Sequence, residues 1–227
     1  MSGKLSTIPL FHNLPSELLR GYEARALWLW AEAGRLILDF DDMSDDVFFV
    51  LSGSVRIAVR TPGGRELILD DVTAGGFFGD MAAIDGAPRS ASVTALHRSQ
   101  ICRLPGPSFM DIISGTPALS RRMMQVLTAR IREANTRMLE LTSLDIRHRL
   151  YAELLRAAGP PASDGSRSIS PPPVQHVLAS RIGARREAVS REIGRLLRRG
   201  VVTRTRSAMM IRTPAALENA IKTELAD

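Results

Sequence analysis

The sequence predicts an α+β fold in three parts: an N-terminal antiparallel β-roll, a long helix suited to dimerisation, and a C-terminal winged helix-turn-helix. Three observations carry this reading. Short apolar runs broken by turn residues fill the segment from Arg35 to Leu104, a seam of apolar residues at helical spacing follows Thr116-Pro117, and two short periodic segments flank Gly183. The domain limits that follow are 1–115 for the roll, 116–143 for the long helix and hinge, and 144–227 for the helix-turn-helix domain.

The roll is read from its punctuation. Leu36 to Phe40, Val47 to Leu51, Val55/Ile57/Val59, Leu67 to Leu69, Ala91/Val93/Ala95 and Ile101 to Leu104 alternate with Asp41-Asp42, Ser52-Gly53, Pro62-Gly63-Gly64 and Gly75-Gly76. Many short strands at this spacing imply a compact antiparallel roll or barrel. Val55, Ile57 and Val59 alternate with Arg56, Ala58 and Arg60, the period of two of a half-buried strand, and Thr61-Pro62-Gly63-Gly64 reads as its hairpin turn.

The long helix starts with Thr116 as N-cap and Pro117 at its first position, and neither Gly nor Pro recurs before Gly159. Leu119, Met123, Leu127, Ile131, Ala134, Met138 and Leu141 recur at steps of three and four, which is a helical apolar seam. A helix of about 25 residues reaches roughly 37 Å, longer than a small domain needs. Dimerisation through residues 116–143 is therefore the expected use, with packing on the roll as the alternative. A second helix near Leu144 to Ala158 leads into GPPASDGSRSISPPP, read as a turn or exposed connection within the C-terminal domain.

Composition and charge narrow the function. Residues 1–150 hold equal numbers of basic and acidic side chains, so the net charge of +6 falls in residues 151–227. That asymmetry points to a polyanion for the C-terminal third, or else to a solvated basic face. The single cysteine, Cys102, excludes a disulfide framework, a four-cysteine iron–sulfur site and a zinc ribbon, and its apolar surroundings suggest a buried bystander. No run approaches the roughly 18 apolar residues of a membrane span and the N-terminus lacks a secretory pattern, so a cytoplasmic location without membrane association is expected. A metal-dependent barrel enzyme needs clustered His and Glu, yet only His97 lies between residues 13 and 147. There is no P-loop and no Ser/His/Asp set, so neither an enzyme nor a metal site is expected.

Two constellations carry chemistry. The first runs from Phe78 to Val93, FGDMAAIDGAPRSASV. Gly79 lets backbone approach a ligand, and free N–H groups at a helix start attract an anion. Arg89 suits a bidentate contact to phosphate, Ser90 adds a hydroxyl, and Asp80 can accept from a ribose hydroxyl. Met81 lies within the same run. The competing reading is a surface turn in which Asp80 and Arg89 pair with each other.

The second runs from Val177 to Ile193. Leu178, Ile182, Val189 and Ile193, with Gly183 at the bend, describe two short helices joined by a tight turn. Arg186, Glu187, Ser190 and Arg191 share an outward face of the second helix, just after Arg185. Arginine reads guanine bidentately and glutamate accepts from the cytosine amino group, so this face suits base-edge readout of double-stranded DNA. Arg198, Arg199, Arg204 and Arg206 extend the basic surface through an apparent helix and wing, where phosphate contact is the natural role. A surface helix with solvated ion pairs is the alternative.

Together these motifs resemble the cyclic AMP receptor protein and fumarate/nitrate regulator family of bacterial transcription factors, from Leu10-Phe11 through the wing. Phe78 to Val93 looks like its phosphate-binding cassette, Leu144 to Leu150 resembles its hinge, and Arg186, Glu187 and Arg191 match its base-reading residues. The resemblance implies a roll of the double-stranded β-helix type, cyclic AMP or cyclic GMP as effector, and allosteric control. It also implies a homodimer on a palindromic operator with TGTGA-like half-sites and recruitment of RNA polymerase. Two departures stand out. Asp80 replaces the usual Glu, and Ala134-Asn135 occupies the place where cyclic AMP binders commonly carry Thr-Ser. Ala134 has no side-chain donor, whereas Asn135 offers both an amide and a carbonyl and serves adenine or guanine. A regulator of the same family that is constitutive or otherwise gated, with a vestigial pocket, is the remaining alternative.

Overall fold

A computed structural model describes residues 4–61 and 63–226. Pro62 of the expected hairpin turn lies outside the described residues; Thr61 N donates to Arg65 O and Gly64 N to Thr61 O, both at 2.8 Å. The chain divides into two units, Met1–Arg130 and Ile131–Asp227.

The first unit begins with two short 3-10 helices, Leu5–Thr7 and Pro9–Phe11, followed by α1 (Ser16–Glu23) and eight strands. They are β1 (Leu27–Ala31), β2 (Leu36–Leu38), β3 (Val47–Ser52), β4 (Ser54–Arg60), β5 (Glu66–Thr73), β6 (Phe77–Phe78), β7 (Ser92–Ala95) and β8 (Ser99–Leu104). The short helix α2 (Asp80–Asp85) separates β6 from β7, and α3 (Gly106–Gly115) and the start of α4 (Pro117–Ser143) follow β8. Two antiparallel four-stranded sheets, ordered β1-β8-β3-β6 and β2-β7-β4-β5, form the roll.

The pattern of side chains explains why the first sheet reads as continuous apolar runs rather than as an alternation. Side chains alternate across a strand. Phe48, Val50, Phe78 and Ile101 point into the roll interior with Val55, Val72 and Val93 of the second sheet. Val47, Phe49, Phe77, Cys102 and Leu104 point the other way, into a core completed by Phe11, Leu19, Phe109, Ile112, Leu119 and Met123. A sheet buried on both faces needs apolar residues at every position. β1 pairs with β8 at the sheet's edge, from Leu27↔Arg103 to Ala31↔Ser99. Cys102 is fully buried, and desolvation pushes its thiol up to about 12.

α4 is 27 residues long, about 40 Å. Thr116 O accepts from Leu119 N and Ser120 N, which places Thr116 at the expected N-cap position. The apolar seam, however, does not serve one purpose along its length. Leu119 and Met123 are buried in the roll-side core and Leu127 packs against it, whereas Ile131, Met138 and Leu141 are exposed.

The second unit contains α5 (Ile146–Ala157), β9 (Arg167–Ile169), α6 (Gln175–Arg181), α7 (Arg186–Arg198), β10 (Val202–Arg204), β11 (Met209–Ile211) and α8 (Pro214–Ala226). β9 arises inside the Pro/Gly/Ser segment read as a connection, and it completes a three-stranded sheet ordered β10-β11-β9. Arg167 anchors that segment by donating to Ala158 O and Gly159 O, both at 2.8 Å. Leu150, Leu154, Leu178, Ile182, Val189, Ile193, Val202 and Ile211 form this unit's core.

Candidate nucleotide pocket and nucleic-acid interface

The first site is set by the turn between β6 and α2. Gly79 has φ +82°, and a Cβ there would lie 2.8 Å from Asp46 O and 2.9 Å from Arg89 Nη1. Only glycine fits both the backbone conformation and the close approach. Arg89 is 3% exposed. Its Nε donates to Ser44 Oγ at 2.9 Å, Nη1 to Gly79 O at 2.8 Å and Nη2 to Asp46 O at 2.8 Å. Three of the five N–H groups of the guanidinium are thereby used. Desolvation draws its pKa below the ordinary arginine value, opposed by Asp46, Asp45 and Asp42. It nonetheless remains a permanent cation.

Asp80, first residue of α2, is 2% exposed. It does not pair with Arg89. Both carboxylate oxygens accept from Nη1 of Arg130 on α4, at 3.0 and 2.8 Å, while Nη2 of Arg130 donates to Phe77 O at 3.1 Å. The Arg130 guanidinium also lies 4.8 Å from the centre of the Phe77 ring. The surface-turn reading therefore fails on both counts, since the two residues are buried and have different partners. Arg130 was not singled out from the sequence, and nothing in its neighbourhood on α4 marks it. Met81 is exposed, with its sulfur 3.7 Å from Ser90 Oγ. Ala134 and Asn135 are exposed on α4 beyond the end of this unit. A recess of about 620 Å³ opens between the β5–β6 turn and α4, with Gly76, Phe77, Val126 and Arg130 among its walls.

The second site is built on two helices. α6 and α7 are joined by a turn in which Gly183 has φ +64°, the left-handed conformation that glycine adopts freely. Leu178, Ile182, Val189 and Ile193 are all buried, as their spacing predicts. The opposite face of α7 presents Arg186, Glu187, Ser190 and Arg191 to solvent, with Arg185 at the N-cap. Arg186, Glu187 and Arg191 make no ion pair among the described residues, so their polar atoms are available for base edges. Arg204 at the end of β10 and Arg206 in the following turn are exposed. A recess of about 340 Å³ lined by Gln175, His176, Arg186 and Arg204 offers cationic walls that suit a phosphate. Glu192, on the flank of α7, is held by Arg195 at 2.8 Å and by the Tyr151 hydroxyl of α5. Burial first, then the Glu192 hydrogen bond, pushes the Tyr151 phenol up to about 12.

A nucleotide-type roll followed on one chain by a winged helix-turn-helix defines a DNA-binding transcription regulator with a cyclic nucleotide-binding domain. Residues 28–116 match the cyclic nucleotide-binding domain family and residues 148–220 the Crp-like helix-turn-helix domain family. The chain is 30% identical over 216 residues to the cyclic AMP receptor protein of Thermus thermophilus, covering 92% of this chain and 95% of that protein. It is 25% identical over 169 residues to a CRP-like cAMP-activated global transcriptional regulator of Mycobacterium tuberculosis, covering 74% and 75% respectively. Its fold matches a CooA variant from Carboxydothermus hydrogenoformans with a TM-score of 0.78 at 19% identity, over 97% of this chain and 98% of that one. The chain belongs to the cyclic AMP receptor protein and fumarate/nitrate regulator family of transcription regulators. No helix among the described residues is long and apolar enough to cross a membrane.

Proposed function

We propose that the chain is a cyclic-nucleotide-gated homodimeric regulator that binds a palindromic operator with TGTGA-like half-sites and recruits RNA polymerase. In this reading Gly79, Asp80, Met81, Arg89 and Ser90 hold the ribose phosphate, and Ala134 and Asn135 meet the base. The dimer forms through residues 116–143, Arg185, Arg186, Glu187, Ser190 and Arg191 address the major groove, and Arg204 and Arg206 hold phosphates. The observation that carries the gating is the Asp80–Arg130 pair, because it ties the first residue of the cassette to the helix whose next turns expose Ile131, Met138 and Leu141. A ligand that reorganises Asp80 thereby acts on α4, and differential affinity for two helix arrangements is all that a ligand contributes to a switch. The names of the Thermus and Mycobacterium relatives support cyclic AMP as effector. Asn135 keeps cyclic GMP in play through its two-sided amide.

The constitutive alternative also has an observation behind it, since both carboxylate oxygens of Asp80 and three of the five N–H groups of Arg89 are already engaged by protein groups. Operator affinity measured without nucleotide, with cyclic AMP and with cyclic GMP separates the readings. Gating predicts tightening by about 5- to 150-fold with one nucleotide, and operator DNA must tighten nucleotide binding by the same factor. Equal operator affinity in all three conditions sinks the gated reading.

A further inference from the structure

His148 stands apart from both sites. It lies in the first turn of α5 and is 6% exposed. Its Nδ1 is buried and makes no hydrogen bond among the described residues. That nitrogen nevertheless faces two carboxylates, with Asp145 Oδ1 at 2.9 Å and Glu224 Oε2 at 3.4 Å. The three ligand-type atoms lie within 4.8 Å of one another. Burying a ring nitrogen between two oxygens without a hydrogen bond is costly, and buried polar atoms left in this state call for an explanation.

We propose that Asp145, His148 and Glu224 form a divalent transition-metal site, of the zinc type, that staples the start of α5 to the last turns of α8. An imidazole with two carboxylates is a nitrogen–oxygen ligand set suited to such ions. A tetrahedral ion with bonds of about 2.0–2.2 Å places its ligand atoms roughly 3.3–3.6 Å apart, which the spacings of Nδ1 approach. The ligands are set by local structure. Asp145 is the N-cap of α5 and accepts from His148 N at 2.8 Å, so its carboxylate is already fixed beside the ring. Its Oδ2 is 3.5 Å from Arg147 Nη2, with both side chains more than 40% exposed, and such a surface pair yields readily to a metal. Glu224 reaches across from α8, which packs along α5. The fourth position belongs to water. The His148 ring packs perpendicular to that of Tyr151, whose hydroxyl holds Glu192 and Arg195 on α7, so occupancy would bear on the helix that carries Arg186 and Arg191.

The test uses the full-length protein with zinc chloride and cobalt chloride. One zinc per chain should bind, with cobalt giving the visible absorption of a four-coordinate ion and zinc raising the thermal midpoint. Glu224→Gln should weaken zinc binding by at least about tenfold, the scale on which outer-shell losses alone already act, while leaving the midpoint without metal unchanged. His148→Asn should abolish binding. If His148→Asn fails to fold, Glu224→Gln still decides. Absence of stoichiometric binding, or equal binding by the wild type and Glu224→Gln, overturns the proposal; the first outcome leaves these three side chains without a metal, and the second places the metal elsewhere.

Discussion

Arg89 shows how much a single side chain does beyond what its sequence position reveals. As the lone cation between Phe78 and Val93 it reads as a candidate phosphate ligand. Its structural task was not legible, because the groups it holds, Ser44 Oγ and Asp46 O, lie 45 and 43 residues away and one of them is backbone. Arg89→Leu removes three hydrogen bonds and strands buried acceptors, each at a cost of about 1–3 kcal/mol. The expected outcome is a loss of at least about 2 kcal/mol in urea-induced unfolding, in addition to lost nucleotide affinity. An unchanged unfolding midpoint would show that the loop from Asp41 to Asp46 is held by other contacts. Arg130 illustrates the opposite failure of legibility. It is one of five arginines on α4, and its partner Asp80 is 50 residues distant, so no local pattern distinguishes it.

At the scale of elements, helical periodicity identified α4, but it gives no information about what covers each part of a stripe. Leu119 and Met123 are covered by this chain's own roll, whereas Ile131, Met138 and Leu141 remain exposed among the described residues. Two substitutions therefore separate folding from assembly. Ile131→Asp should leave the monomer's thermal midpoint unchanged and convert the dimer to monomer by light scattering, because an unpaired charge in a desolvated interface costs several kcal/mol. Leu127→Asp should lower the midpoint itself, since Leu127 packs against the roll-side core. A dimeric Ile131→Asp protein would remove the exposed stripe from the interface. Elsewhere, strands with clear turn signals were legible, while β1, β6, β9 and α3 were not. β1 carries Leu-Trp-Leu-Trp without polar alternation, β6 is two residues long, and β9 hides between prolines because its strand character comes from pairing with β11. α3 is buried over Phe109, Ile112 and Ile113 and begins and ends on Gly106 and Gly115, so it shows no clean polar face.

At the scale of the whole molecule, the division of charge anticipated the division of labour. The basic excess lies in the unit that carries α7 and the wing, whereas the roll, residues 1–115, holds 10 basic and 14 acidic side chains and is net negative. On the proposed homodimeric reading, two such units related by two-fold symmetry should address half-sites whose centres lie about 34 Å apart, one turn of DNA. Arg186→Ala or Arg191→Ala should cost about 1–3 kcal/mol on the operator and little on random DNA in a gel-shift or anisotropy titration. Equal losses on both DNAs would assign these side chains to phosphates.

The burial of Cys102 reaches beyond packing. It is the chain's single cysteine, and with its thiol pushed up to about 12 it holds its proton throughout the physiological range. Thiolates, not thiols, react with peroxides and disulfides. The folded regulator is therefore chemically blind to oxidants at its one sulfhydryl. The same silence makes it a clean background for site-specific chemistry: a cysteine introduced at an exposed position such as Ser190 would take a spectroscopic label alone, with the native residue left in place.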